Sequence, residues 1–183
     1  IKNASADATI AFAIDFNTAG ERLTKNSVLG QGKTYIPTSI PKKRTNSDLA
    51  AANMKTQVDL IVKKLNEANA KTLNIAGNGI YTMRDAGWNQ DEIDYMTYKM
   101  LSEVINSPNL NTKIESVRTG GQTGFDEAGA KAAALLGIPT MILAPKNWKF
   151  RVDKTDISDE TLFKERFKTK INTEGPEQLP QIE

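Results

Sequence analysis

The order of apolar runs and periodic segments predicts an α/β protein, with a mostly parallel sheet and helices on both faces. Three observations lead there. Ala8–Phe16, Thr72–Ala76 and Pro139–Leu143 are near-continuous apolar runs, as expected of strands covered on both sides. Between them, Val58, Ile61, Val62 and Leu65, and then Ile93, Met96, Thr97, Met100, Leu101, Val104 and Ile105, repeat at helical spacing. Finally, Ile114–Val117 reads as a strand that turns through three glycines into a helix carrying Phe125, Ala128, Ala132, Leu135 and Leu136. The expected order is β–β–α–β–α–β–α–β–α, which makes a layered α/β sandwich.

In chain order, the first strand stops at Asn17-Thr18-Ala19-Gly20. Ser27 to Thr34 nearly matches a phosphate-binding loop, but Ser27 stands where the first glycine belongs and prolines follow Thr34, so a glycine-rich turn is expected. In a weaker functional reading, Asp15, Asn17, Glu21 or Arg22 approach a ligand from this side. Tyr35–Ile40 is extended, and Pro37 and Pro41 confine it to an edge or a loop. The first 45 residues thus read as a strand-rich extension of the core. Lys42-Lys43-Arg44 reads as a solvated turn, and Ser47 as the N-cap of a helix over Asp48–Ala68. Gly77-Asn78-Gly79 follows the next strand, and Ile80 to Asn89 is a long loop holding Tyr81, Arg84, Asp85 and Trp88. Asp91 and Glu92 complement the N-terminal dipole of the helix over Gln90–Asn106. A last helix is capped by Ser158 or Asp159, runs to Lys170 and packs through Leu162, Phe163 and Phe167. Residues 175–183 are composed like a flexible tail. Residues 1–174 read as a single domain, with its core over 71–151.

Composition narrows the chemistry. The 183 residues contain no cysteine and no histidine, so disulfides, thiolate or imidazole metal sites and imidazole catalysis are excluded. No metal and no cofactor is expected. With 24 Lys+Arg against 22 Asp+Glu, no global field points to nucleic acid or to a membrane surface. No apolar run approaches a membrane span, and a soluble, cytoplasmic protein is expected.

The chemistry concentrates at Thr119-Gly120-Gly121-Gln122-Thr123-Gly124-Phe125-Asp126-Glu127. Glycines at a strand-to-helix turn let a ligand approach the backbone, and the helix start offers N–H groups and a positive dipole end. Anion binding by Gly120, Gly121 and Gly124 is therefore expected, with the Thr119 and Thr123 hydroxyls as further donors. Several residues keep two readings. Gln122 either lies in solvent or reads a ribose hydroxyl. Arg118 pairs with a phosphate or ends an exposed strand. Trp148 and Trp88 stack on a base or pack in the core. Lys146, Lys149 and Arg151 form a cationic rim or a solvated loop. Asp126 and Glu127 either complement the helix dipole or act on a ribose.

Thr119 to Pro139 resembles the GGQTG-x-D segment of the molybdenum-carrier proteins and, more broadly, the SLOG superfamily with its LOG (lysine-decarboxylase-like) phosphoribohydrolases. The resemblance covers roughly Lys71 to Arg151. It implies a Rossmann-like fold that binds a nucleotide or nucleotide-derived ligand of the AMP, ADP-ribose or NAD-derived type, as a sensor or sequestering protein. It also implies a ligand loop at Gly77, Asn78 and Gly79, and assembly as a homo-oligomer. Laid over Thr119–Glu127, the LOG pattern P-G-G-x-G-T-x-x-E puts its glutamate on Glu127. That is the alternative function, N-glycosidic cleavage of a nucleoside monophosphate or NAD-like substrate by Glu127 with Asp126. Thr119 replaces the proline of that pattern and Thr123-Gly124 inverts its Gly-Thr pair, which weakens the hydrolase reading more than the binding one.

Overall fold

The computed structural model describes residues 6–41, 47–152 and 154–171, with side chains for all of these except 47–52 and 168–171. The expected tail at 175–183 and the Lys42–Arg44 turn lie outside the described residues. Five strands form one parallel sheet: β1 (Ala8–Ala13), β2 (Thr34–Ser39), β3 (Thr72–Gly77), β4 (Ser116–Gly120) and β5 (Thr140–Leu143), in the order β2-β1-β3-β4-β5. The helices are α1 (Ala19–Gly30), α2 (Ser47–Ala68), α3 (Ile80–Asp85), α4 (Gln90–Ile105), α5 (Phe125–Leu135) and α6 (Glu160–Ile171). A two-stranded antiparallel hairpin, β6 (Lys149–Val152) and β7 (Thr155–Ser158), precedes α6.

Parallel crossovers are right-handed, so the direction in which the chain steps across the sheet decides which face each helix covers. The step from β1 to β2 runs one way and every later step runs the other. Helix α1 accordingly stands alone on one face, while α2, α4 and α5 cover the opposite one. The register agrees. Ile10 pairs with Ile36 and Ile75, Ile75 with Thr119, and Thr119 with Ile142, giving one apolar face. That face carries the main core, in which Phe12 stacks on Phe125 at 5.3 Å between centroids and Ile61, Leu65, Met100 and Leu101 are buried. Gly129 is the closest approach of α5 to the sheet, since a Cβ there would stand 2.6 Å from Ile75 Cγ2 and 3.2 Å from Thr119 Cγ2. The other face runs Tyr35, Thr9, Asn74, Arg118, Met141. Here α1 covers only the β1–β2 side, where Val28 packs with Ala11 and Tyr35. At the β5 end Met141 is 54% exposed.

The expected sandwich is present, but the N-terminal strands are not an extension of it. β1 is an inner strand, fully buried along its length, with β2 paired to it on the outer edge. Three elements were unforeseen. Helix α1 occupies the segment read as a turn and a glycine-rich loop, α3 lies inside the expected long loop, and β6–β7 replaces the loop after β5. Expected details hold elsewhere: Asp91 and Glu92 stand in the first turn of α4, and Asp159 Oδ1 accepts from Leu162 N–H at 2.9 Å to start α6. Asn89 and Glu92 also close a reciprocal capping box, which was not foreseen.

Candidate functional site

At the carboxyl end of the sheet, the loops after β3, β4 and β5 meet under the β6–β7 hairpin, and the glycine turn lies at their centre. Each of its glycines has a steric reason. Gly124 has φ +99°, and a Cβ there would stand 2.6 Å from the Asn78 carbonyl oxygen. At Gly121 a Cβ would stand 2.6 Å from Phe163 Cζ and 2.7 Å from Pro145 Cδ, so α6 packs directly on this peptide. At Gly120 it would stand 2.5 Å from Asp126 Oδ2, so the first-turn carboxylate of α5 folds back over the end of β4.

Most of the turn's N–H groups are used internally. Gly124 N–H donates to Gln90 Oε1 at 2.7 Å, and Gln90 Nε2 returns a bond to the Gly124 carbonyl at 2.9 Å. Phe125 N–H donates to the Asn78 carbonyl at 3.3 Å, Glu127 N–H to the Gln122 carbonyl at 3.0 Å, and Thr123 N–H to Gln122 Oε1 at 3.3 Å. Among the described residues, no loop or side-chain acceptor meets the N–H of Gly121 or Gln122. The broad anion cradle expected over Gly120–Gly124 thus loses the Thr123 and Gly124 amides to internal bonds.

A cavity of about 380 Å³ opens on the α1 side of the sheet against this turn. Its wall combines Leu23, Thr24 and Ser27 of α1, Asn74 and Ala76 of β3, Gly120 of β4, then Gly121, Gln122, Asp126 and Pro145. Of the expected site residues, Gly120, Gly121, Gln122 and Asp126 come together here. The others do not. Thr119 points to the opposite, α5-covered face and is fully buried, and Thr123 is buried as well. Glu127, 0% exposed, gives both carboxylate oxygens to Arg166, each at 3.0 Å, and so fastens α6 to α5. Gly77 is wedged between the Phe12 carbonyl and the Phe125 ring. Asn78 stitches the chain leaving β1, accepting from Ile14 N–H at 2.8 Å and donating to the Asp15 carbonyl at 3.0 Å. Gly79 lies beside Arg151, Arg118 lies along the sheet toward Met141, and Lys146 is exposed. Trp148 packs on Phe163 at 5.5 Å between centroids, and Trp88 packs on the main core and donates from Nε1 to the Pro41 carbonyl at 3.2 Å. Both tryptophans therefore serve packing. Asp15, Asn17, Glu21 and Arg22 do not line the cavity either.

Gln122 also has a structural task, since its Oε1 accepts from Arg151 N–H at 3.1 Å and holds the hairpin to the turn. Beside it, Tyr81 O–H donates to Asp156 at 2.8 Å, which lowers the Asp156 pKa; desolvation first, and then this bond, raise that of Tyr81, and the Arg151 guanidinium lies 4.7 Å from the Tyr81 ring centroid. Sequence reasoning missed the α1 wall and Asn74. Asn74 did leave a signal: it is a polar residue inside an otherwise apolar strand, and it is 2% exposed, with Nδ2 donating to Thr9 Oγ1 at 3.4 Å. A larger cavity of about 670 Å³, between α2 and α4, has an apolar wall that includes Met54, Trp88, Tyr95, Met96 and Met100, and no residue of the glycine turn lines it. Among the described residues there is no cluster of carboxylates able to hold a metal ion, and no helix is long and apolar enough to cross a membrane.

No protein family, curated protein or solved structure matches this chain.

Proposed function

We propose that the chain binds a nucleotide or nucleotide-derived small molecule in the cavity between α1 and the Gly120–Asp126 turn. The observation that carries this reading is the convergence there of the carboxyl-end backbone at Gly120 and Gly121, a carboxylate and the polar side chains Asn74, Thr24 and Ser27 beside apolar Leu23, Ala76 and Pro145. Open α/β sheets receive ligands outside the carboxyl ends of their strands, beside the point where the crossovers reverse direction. Here that reversal lies between β1 and β3. A wall that sets apolar side chains beside convergent polar groups suits a base and a sugar. The resemblance to SLOG proteins, which covers roughly Lys71 to Arg151 and is carried by Thr119–Pro139, points the same way.

Binding without turnover is the better supported form of the proposal. A phosphoribohydrolase would need Glu127 free to reach a ribose, and both its oxygens are held by Arg166. We place the protein in the cytoplasm and as a homo-oligomer on the same footing, as proposals that light scattering and cell fractionation would check. Calorimetric titration with AMP, ADP-ribose, NAD and adenosine tests the central reading. Saturable heat with at least one of them is expected, and it should be lost in Ala76→Trp, which fills the cavity floor. Silence from all four at millimolar concentration would sink it.

A further inference from the structure

We propose that β5 is the docking edge for a second copy of this chain, the two strands pairing antiparallel across a twofold axis at Met141. The proposal rests on the homo-oligomer named above, to which it gives a contact surface, and is independent of the ligand pocket. The two edges of the sheet are finished differently. On the β2 edge, Pro37 stands exposed in mid-strand and has no N–H to offer another strand, which blunts that edge. The β5 edge is Thr140-Met141-Ile142-Leu143, with neither a charge nor a proline inside it. An apolar edge without such protection is a template for strand pairing.

The register shows which groups that edge offers. Val117 pairs with Thr140, and its N–H donates to the Pro139 carbonyl at 2.9 Å. In a parallel ladder such a residue bonds to both neighbours of its partner, so Pro139 and Met141 turn their polar groups toward β4, while Thr140 and Ile142 turn theirs outward. Among the described residues, no donor or acceptor meets the backbone of Thr140 or Ile142 on that side. The outward groups are self-complementary. With Met141 on the axis, Thr140 faces Ile142 of the second copy and exchanges N–H and carbonyl bonds with it, and symmetry repeats the exchange on the other side of the axis.

The side chains agree with this register. Met141 lies on the α1-side face and is 54% exposed. On the axis it meets its own mate in a non-hydrogen-bonded pair, where opposed side chains come closest, so an apolar group left bare by the crossovers is covered by its equivalent. An edge this short falls well below the roughly 800 Å² per partner of a standard interface. The association is therefore weak, and dilute protein is monomeric.

Sedimentation of the full chain over a concentration series tests the proposal. The mass should rise from 20.1 kDa toward twice that value as the protein approaches millimolar concentration. Met141→Lys, which sets like charges face to face at the axis, should hold it at the monomer mass, with thermal melting to confirm the fold. Because the chain has no cysteine, oxidation reads the register directly. Met141→Cys would bring two thiols together at a Cα separation of about 4.5 Å, within disulfide range. Thr140→Cys lies about 9 Å from its own mate in this register, outside that range. Met141→Cys should therefore link two copies at least about tenfold faster than Thr140→Cys. A protein that stays monomeric at every concentration would overturn both this surface and the homo-oligomer. A dimer that survives Met141→Lys, or that links Thr140→Cys as fast as Met141→Cys, would overturn this surface and leave the oligomer standing.

Discussion

Glu21 sits in the first turn of α1, where its charge would complement the helix dipole, yet its side chain turns inward and is 4% exposed. Burial pushes its pKa up to about 7, from the model-compound value of 4.5, and its charge in turn helps burial raise Tyr35 to about 12. Among the described residues Oε2 has no hydrogen-bond partner, so the folded state favours the protonated acid. The sign of the linkage follows. Below about pH 4.5 the group is neutral whether folded or unfolded. Between there and about pH 7 the unfolded chain releases the proton and the folded chain keeps it, so stability falls with rising pH. A shift of this size corresponds to about 3 kcal/mol. Glu21→Gln should therefore flatten urea-denaturation free energies across that window and be the more stable protein at pH 8. A variant less stable than the parent at pH 8 would mean that the carboxylate makes a bond worth more than its burial costs. The cavity carboxylate obeys a different geometry. Asp126 and Glu127 are neighbours about 100° apart around α5, which sends one over Gly120 and the other into the α5–α6 contact. The sequence named both and could not assign the sides, because the side each takes depends on where α6 returns.

The strands and the long helices were readable because their burial is regular: β1 is buried throughout, and α4 turns Ile93, Met96, Met100, Leu101 and Val104 inward at the expected spacing. Helix α1 escaped notice because its pattern is inverted. Leu23 and Leu29 are 72% and 52% exposed while Glu21 and Val28 are buried, so no apolar stripe marks it. Helix α3 has 6 residues, too few to establish a period, and each strand of the hairpin has 4. With α1 unread, one whole wall of the cavity was unreadable too. Helix α6 is fastened by two contacts that can be cut separately. Arg166→Ala leaves Glu127 buried without its bidentate partner, and should cost about 3 kcal/mol by chemical denaturation. Replacing both partners, as Arg166→Met with Glu127→Leu, should recover most of that loss, because the penalty belongs to the stranded charge. Recovery of less than half would mean that the pair contributes net attraction. Gly121→Val acts on the other contact. Its side chain would stand where Phe163 Cζ and Pro145 Cδ lie 2.6 and 2.7 Å from the first added carbon, so α6 and the hairpin should lose amide-exchange protection while β1 and β3 keep theirs.

Over the whole molecule, the asymmetry of the sheet follows from its strand order. One step runs left and three run right, so right-handed crossovers supply three helices to one face and one helix to the other. Parallel sheets are ordinarily covered on both faces, because their strands are apolar on both sides. This chain meets the shortfall at β3 by placing Asn74 and Ala76 beside the cavity, and at β4 and β5 with the long side chains of Arg118 and Met141, which touch through an Nη2–Sδ approach of 3.8 Å. After β5 the chain does not return to this face. It builds the β6–β7 hairpin and then α6, whose Phe163 and Phe167 join Phe150 and Ile142 on the crowded side. The α1-side face should therefore be chemically open at β5 and closed at β1. Because the chain has no cysteine, each substituted thiol is unique, and the two sides of the sheet can be compared directly. Met141→Cys should react with a thiol-specific disulfide reagent at nearly the rate of the unfolded chain. Val117→Cys, on the paired strand but turned to the fully buried face, should react at least a hundredfold more slowly, at a rate limited by opening of the sheet. Equal, slow rates at the two positions in dilute protein would mean that something covers β5, and the face left bare by the crossover rule would then have to be assigned to a second molecule.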